Sequence, residues 1–176
     1  EEEGVFNERG FTEEGRAPIA IDECEPDAAD CPAVGATDYP TFNSQQMDEQ
    51  LAIYQQYLQQ VGTPDVLIVG SSRALRGVDP AMLQQELVQQ GYPNLKVFNF
   101  SINGATAQVV DLLVRQLLPS DRLPEIIIWA DGARAFNSGR TDVTYNAIAS
   151  SQGYQQLAAG VRPIESQSDP TEDEDR

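Results

Sequence analysis

Apolar positions in the central part of the chain follow two patterns, one typical of helices and one typical of buried strands. Over residues 44–61 apolar side chains recur every three or four positions, which predicts an amphipathic helix. Short continuous apolar runs bounded by turn residues predict strands that are buried on both faces. The predicted helices are 44–61, 80–90, 106–118 and 142–158, and the predicted strands are 66–70, 96–101 and 125–130.

The order of these elements predicts an α/β fold. Strands that alternate with helices are joined by right-handed crossovers and form a parallel sheet. We therefore expect a three-layer unit with a short sheet, in which the first strand lies between the other two. The polar segments GSSR, NFSINGAT and ADGARAFNSGR, one at the end of each strand, would then meet at the edge where such folds bind ligands.

The two ends of the chain differ from this central part in composition. The first 41 residues are rich in Glu, Asp, Gly, Pro and Ala, and PIESQSDPTEDEDR at the other end has one aliphatic side chain and seven charges. Such segments bury too little apolar surface to offset their ordering entropy. We predict an acidic, weakly structured arm at 1–41, an α/β domain at 42–160 and a disordered acidic tail at 161–176.

The net charge of the chain limits the classes of partner that it can bind. The 28 acidic and 11 basic residues give a net charge of −17, which opposes binding to nucleic acid or to anionic lipid. A larger protein assembly is the partner that an acidic arm and tail favour. No run of 18 apolar residues is present, so the sequence predicts no membrane span. Because residue 1 is Glu, we expect any anchor or secretion signal to lie upstream.

Cys24 and Cys31 are the only cysteines, and they flank the segment EPDAAD. With no histidine and no second cysteine pair, the sequence predicts no metal site, and no motif for a cofactor is present. A local disulfide would stabilise the chain by roughly 2.5 kcal/mol and would indicate an oxidising compartment. We therefore expect an extracytoplasmic location, in a periplasm or a thylakoid lumen. Two free thiols are the alternative.

Ser72 follows the first predicted strand, where a hydroxyl is presented at the sheet edge. The segment 103–106 follows the second strand and begins a predicted helix, whose backbone N–H groups and positive dipole end can stabilise negative charge. These are two parts of an acyl-transfer site. The plain alternatives are a strand-to-helix turn at Ser72 and a helix-initiating glycine at Gly104.

The segments VLIVGSSRA and VFNFSINGATAQ resemble the first two sequence blocks of SGNH/GDSL hydrolases, serine esterases and acyl-transfer enzymes with a flavodoxin-like sheet. The resemblance implies that Ser72 is the nucleophile and that Gly104 belongs to the oxyanion hole. The segment GSSR resembles more closely the first sequence block of a branch of cell-envelope acyl-transfer proteins. Residues 65–157 look most like cyanobacterial proteins with an uncharacterised SGNH-like domain.

The sequence departs from the family after its third strand. The family has Gly-x-Asn-Asp there, whereas this chain has Asp131 followed by GAR, so Asn137 is the nearest candidate for the oxyanion-hole asparagine. The Asp-x-x-His block is absent, and the chain contains no histidine. A serine hydroxyl needs an adjacent base, and the carboxylate of Asp131, here a candidate polar partner, is a weak one. Lys96, the only lysine, is a poor candidate for the base because it lies at the start of the second predicted strand, away from the carboxyl ends of the strands.

Two functions remain open. In the first, the chain is a non-catalytic or incomplete SGNH-like module, a pseudoenzyme that acts as an extracytoplasmic binding or assembly subunit. In the second, it is the N-terminal part of a serine esterase or O-acyltransferase whose histidine lies outside this chain. Arg73, Arg76 and Arg134 would then bind an anionic group of the substrate, whereas otherwise they are solvated or paired with carboxylates.

Overall fold

The computed structural model describes residues 38–136, 139 and 141–167, which form a mixed α/β unit with a small parallel sheet. Two single-turn 3-10 helices flank the third strand, at Ser120–Arg122 and Ala133–Ala135. The strands are β1 (Val66–Val69), β2 (Val97–Asn99) and β3 (Ile126–Trp129). The helices are α1 (Gln45–Gln60), α2 (Ser72–Gly77), α3 (Pro80–Gln89), α4 (Ala107–Asp111), α5 (Val143–Ala149) and α6 (Gln152–Ala158), and a π-helix at Leu112–Leu117 continues α4.

The sheet has the order β2-β1-β3, and β1 pairs in parallel with both neighbours. Leu67 of the central strand lies opposite Phe98 on one side and Ile127 on the other. The predicted parallel arrangement, with the first strand in the middle, is confirmed. The carboxyl ends of all three strands therefore lie at one edge.

Helix α1 covers one face of the sheet. Its first turn is capped by Ser44, whose side chain accepts a hydrogen bond from the Met47 N–H. The apolar stripe of the helix places Tyr54 against two rings of β2, at centroid distances of 4.8 Å to Phe98 and 5.3 Å to Phe100. This aromatic contact forms the centre of the larger hydrophobic core.

Helices α2 and α3 lie on the opposite face, over β1 and β2. Asp79 caps α3 by accepting bonds from the N–H groups of its first turn, and Pro80 starts the helix at a position that needs no donor. Buried Asn99 donates to the carbonyls of Ala74 and Val78, at 3.1 and 2.9 Å. This side chain fixes α2 against β2.

Three helical features differ from the predictions. The segment after β1 forms the short helix α2, capped by the Ser71 side chain, where only a turn was expected. The helix predicted at 106–118 widens into the π-helix after Asp111. The helix predicted at 142–158 is divided into α5 and α6, because Ser151 adopts an extended conformation and caps a new helix at Tyr154 N.

The prediction that β3 is buried on both faces is wrong for the described structure. Ile126, Ile127 and Ile128 are 47%, 40% and 37% exposed, whereas every residue of β1 is buried. Within the described residues, β3 has a hydrogen-bonded neighbour only on its β1 side. Ile126 and Ile128 point to the face of the sheet on which α2 and α3 lie. Those helices pack over β1 and β2 and leave the β3 part of this face exposed.

The packed part of the chain is wider than the predicted 42–160. The Tyr39 hydroxyl oxygen lies within hydrogen-bond distance of the carbonyl oxygens of Gly153 and Val161, at 3.0 and 2.8 Å, and Ile164 is buried in the core. The predicted disulfide between Cys24 and Cys31 lies outside the described residues, as does most of both predicted acidic ends. No helix in the described part of the chain is long and apolar enough to cross a membrane.

Candidate functional site at the carboxyl edge of the sheet

The loops that follow the three strands lie side by side, because the backbone pairing of the sheet continues past the strand ends. The N–H of Ile102 donates to the carbonyl of Gly70, and the N–H of Ala130 donates to the carbonyl of Val69, both at 3.0 Å. The parallel topology thus places the residues after β2 and β3 on either side of the turn after β1. The predicted site residues come from these three loops.

Asp131 binds the turn after β1 through Ser71. Its carboxylate accepts one hydrogen bond from the Ser71 N–H at 2.8 Å and a second from the Ser71 hydroxyl at 2.6 Å. The indole N–H of Trp129 lies 3.4 Å from the same carboxylate. Gly70 has a φ of +149°, and a Cβ there would lie 3.0 Å from an Asp131 carboxylate oxygen. The same Cβ would lie 2.9 Å from the Ala74 Cβ, so the space between α2 and Asp131 admits only a glycine at this position.

Ser72 is the first residue of α2, half-buried at the sheet edge. None of the hydrogen bonds among the described residues involves its hydroxyl, whereas the hydroxyl of the preceding serine is bonded to Asp131. A serine hydroxyl that is not hydrogen-bonded to a base is a weak nucleophile at neutral pH. The described structure therefore presents Ser72 at the predicted place but without a base bonded to it.

Gly104 lies against α5. Its φ is +74°, and a Cβ added to it would lie 2.5 Å from the Thr144 hydroxyl oxygen. Thr144 is the only described side chain within 4 Å of that added carbon. The preceding N–H, that of Asn103, donates to the side chain of Gln46 at 2.6 Å. The contact between this loop and α5 therefore leaves no room for a larger residue at position 104.

Thr106 and Asp142 connect α4 to α5 next to this glycine. The Thr106 hydroxyl caps α4 and donates a hydrogen bond to the Asp142 carboxylate. The same carboxylate accepts a bond from the Tyr145 N–H at 2.8 Å, which caps α5. One aspartate therefore joins two helix starts, and the last helical region begins at position 142 as predicted.

The predicted substrate-binding arginines lie around the same edge. Arg73 is exposed, and its guanidinium extends over Gly132, where an added Cβ would lie 2.7 Å from a guanidinium nitrogen. Arg134 is exposed in the loop after β3, and Arg76 is exposed in the last turn of α2. The predicted oxyanion-hole substitute, Asn137, lies outside the described residues.

Sequence reasoning missed an apolar groove of about 610 Å³ between β3 and the α4–π-helix segment. Trp129 and Phe136 form its aromatic end, with ring centroids 4.4 Å apart. The available signal was the run of three isoleucines and a tryptophan, but that run is equally typical of a strand in the centre of a sheet. The other lining residues are Ala107, Gln108, Val110, Asp111, Val114, Arg115, Ile127 and Tyr145.

Tyr145, at the margin of this groove, does not supply a base near neutral pH. A side-chain hydrogen bond with Tyr154 raises the pKa of Tyr145, and burial raises it further. The hydroxyl therefore stays protonated where an ester hydrolase would operate. In the part of the chain that the structure describes, no three His, Cys, Asp or Glu residues are grouped so that they could hold a metal ion.

Comparison with protein-family models, with curated proteins and with solved structures finds no significant match to this chain.

Proposed function

We propose that this chain is an SGNH-like α/β module that does not catalyse hydrolysis itself and that acts outside the cytoplasm as a binding or assembly subunit. The observation that carries the proposal is the pairing of Asp131 with Ser71, which leaves the Ser72 hydroxyl without a base among the described residues of a chain that has no histidine. The extracytoplasmic location rests on the expected Cys24–Cys31 disulfide.

The chemistry of the carboxyl edge supports this proposal. A general base must lie within about 3.2 Å of the proton that it removes. Asp131, in the loop after β3, is bonded to the turn after β1, and both of its carboxylate oxygens accept hydrogen bonds from Ser71. The Asp131 carboxylate is therefore hydrogen-bonded to the serine that precedes the candidate nucleophile and not to Ser72.

The exposed side of β3 supports a binding role. Isoleucine side chains are exposed on both faces of this edge strand, and the apolar groove lies beside it. Contiguous apolar surface of this kind marks interaction sites on folded proteins. A module that binds through β3 needs no activated nucleophile at the end of β1.

A serine esterase or O-acyltransferase is the second candidate, and the position of Ser72 favours it. The hydroxyl lies at the start of α2 directly after the central strand, and no described residue competes for its proton. A histidine supplied by polypeptide outside this chain would then be the base. The exposed arginines near this serine would bind an anionic part of the substrate.

A fluorophosphonate probe tests the proposal, because it reacts with serines whose nucleophilicity has been raised by a base. We expect Ser72 to remain unlabelled both in the purified chain and in the protein isolated from its natural source with any polypeptide that accompanies it, when its peptides are analysed by mass spectrometry. A serine esterase treated in the same tube and a Ser72→Ala variant are the positive and negative controls. Labelling of Ser72 in either sample would favour the esterase and would remove the basis of the proposed binding role.

A further inference from the structure

Strand β3 forms a lateral edge of the sheet, distinct from the carboxyl edge described above, and another strand could add to it. It pairs with β1 on one side, and no described residue pairs with the backbone N–H and carbonyl groups on its other side. Such an edge is a template for another strand. Natural proteins protect exposed edges with charges, prolines or bulges, but β3 reads Ile-Ile-Ile-Trp without any of these.

The side chains of β3 restrict what can occupy this edge. Ile126 and Ile128 point to one face of the sheet, and Ile127 and Trp129 point to the other. A strand that pairs with β3 must therefore present apolar side chains on both of its own faces. Most solvent-exposed strands alternate apolar and polar residues and would bring polar groups against the isoleucines of one face.

We propose that the occupant is a second copy of this chain, with the two β3 strands antiparallel across a two-fold axis. This inference rests on the proposed binding function and names its partner. Because directly opposite residues share a face in an antiparallel pair, residues 126 and 128 of one copy must lie opposite even-numbered residues of the other. Two registers satisfy this condition and keep most of β3 paired, centred on Ile127 or on Ile128.

Charge selects between these registers. With Ile127 opposite Ile127 of the other copy, Glu125 lies opposite Trp129, which carries no charge. With Ile128 at the centre, Glu125 would be opposite Asp131, and like charges directly across a strand pair are destabilising. A second copy of β3 also meets the requirement for an occupant, because it presents apolar side chains on both of its faces.

Antiparallel pairing also separates Gln167 of one copy from Gln167 of the other. The last described residues bind Asp121 at the amino end of β3, since the Ser166 hydroxyl and the Gln167 N–H both donate to it. Residues 1–37 and 168–176 contain 16 of the 28 acidic residues and three of the 11 basic ones, so residues 38–167 account for only −4 of the net −17. Salt should therefore strengthen the dimer by screening the remaining repulsion, whereas it would weaken binding to a basic partner.

The oligomeric state of the full chain is the first test. An interface centred on one short strand is small, so we expect association at concentrations of about 10–100 μM. Sedimentation equilibrium should show the mass rising from 19.3 kDa towards twice that value, more readily at higher salt. Ile127→Lys should weaken association by at least about tenfold, whereas Val88→Lys, at a similarly exposed position on α3, should leave it within about twofold.

Disulfide cross-linking tests the register. In a background with Cys24→Ser and Cys31→Ser, Ile127→Cys places two cysteines directly opposite, with Cα atoms about 5 Å apart, which a disulfide can bridge. Ile126→Cys is the matched control, because its two copies would be about 8 Å apart and could not be bridged without backbone movement. We expect mild oxidation to give a covalent dimer for Ile127→Cys and little for Ile126→Cys.

A chain that stays monomeric up to about 500 μM at all salt concentrations would overturn the dimer, as would equal cross-linking of the two cysteine variants. Association that Ile127→Lys leaves unchanged would also overturn it. These failures differ from failure of the proposed function, which is shown by labelling or turnover at Ser72. A monomer that is inert towards the fluorophosphonate would contradict only the dimer.

Discussion

At the scale of single residues, the adjacent serines after β1 have different roles. The Ser71 side chain caps α2 by accepting a bond from the Arg73 N–H and donates its hydroxyl proton to Asp131, while its backbone N–H donates to the same carboxylate. Ser72 has neither bond among the described residues. The turn is therefore stabilised through Ser71, although the family resemblance directs attention to Ser72.

This difference predicts the stabilities of two neighbouring variants. Ser71→Ala removes a helix cap and a hydrogen bond to a charged group, so it should lower the free energy of unfolding by about 2 kcal/mol. Ser72→Ala removes no observed bond and should change it by less than about 0.5 kcal/mol. Urea unfolding followed by circular dichroism measures both. An equal loss in the two variants would show that the Ser72 hydroxyl has a structural bond.

Tyr54 carries a buried hydroxyl that has no hydrogen-bond partner among the described residues. Removing an unsatisfied buried hydroxyl avoids its desolvation cost while the ring keeps its contacts with Phe98 and Phe100. Tyr54→Phe should therefore raise the free energy of unfolding by about 1 kcal/mol. Tyr57→Phe, one turn later, should have a smaller effect near neutral pH. A less stable Tyr54→Phe protein would mean that this hydroxyl is bonded.

The same two tyrosines predict how stability changes at alkaline pH. Burial raises the pKa of Tyr57 to about 12, with a further contribution from the Asp65 carboxylate, and burial raises that of Tyr54 still more. Below pH about 10 both residues are protonated whether the chain is folded or unfolded, so they add no pH dependence. Above it the unfolded chain loses protons that the folded chain keeps, and stability should fall as pH rises from about 10 to 12.

Urea midpoints between about pH 8 and 12 measure this fall. The double variant Tyr54→Phe/Tyr57→Phe is the control, because it cannot lose these two protons and should show a shallower decline. Equal declines in the double variant and the unchanged chain would contradict the assignment to these two side chains.

At the scale of elements, the regular part of the fold was predictable and the local deviations were not. The strands and helices α1 and α3 follow from local signals such as the Ser44 cap and the Asp79-Pro80 start, which depend on neighbouring residues. The π-helix after Asp111 and the break at Ser151 depend on packing against other elements, which no local pattern records. The missed helix α2 is only six residues long and depends on a contact with Asp131, 60 positions away from Ser71.

Gly104 provides a prediction at this scale, because its conformation is coupled to α5. Gly104→Ala should destabilise the fold both through its positive φ and through contact with Thr144. Gly91→Ala shares the positive φ but has open space around it, so it should be the milder variant, costing about 1 kcal/mol.

A double-mutant cycle with Thr144→Ala isolates the contact. Gly104→Ala combined with Thr144→Ala should be less destabilised than the sum of the single changes by about 1 kcal/mol, because the obstructing hydroxyl is gone. Additive effects in thermal or urea unfolding would mean that α5 does not press on Gly104. The reason for a glycine there would then have to come from another role of the loop.

At the scale of the whole molecule, topology was enough to predict where the site residues lie but not how they are bonded. Parallel strands bring the loops containing Ser72, Gly104 and Asp131 to one edge. Which serine Asp131 binds, and that Thr144 lies over Gly104, depends on side-chain geometry between distant segments. The exposure of β3 was also beyond the sequence, because three consecutive isoleucines are equally typical of a central strand.

Hydrolysis of a short acyl ester tests most directly the claim that this chain does not activate Ser72. A positioned base contributes about 10²- to 10⁴-fold to such a reaction, so its absence is easy to detect. We predict that the purified full chain and its Ser72→Ala variant hydrolyse the ester at the same slow background rate, within about twofold. A rate at least about tenfold higher for the unchanged chain than for Ser72→Ala would contradict the account, and Asp131 would then be the first candidate for the base.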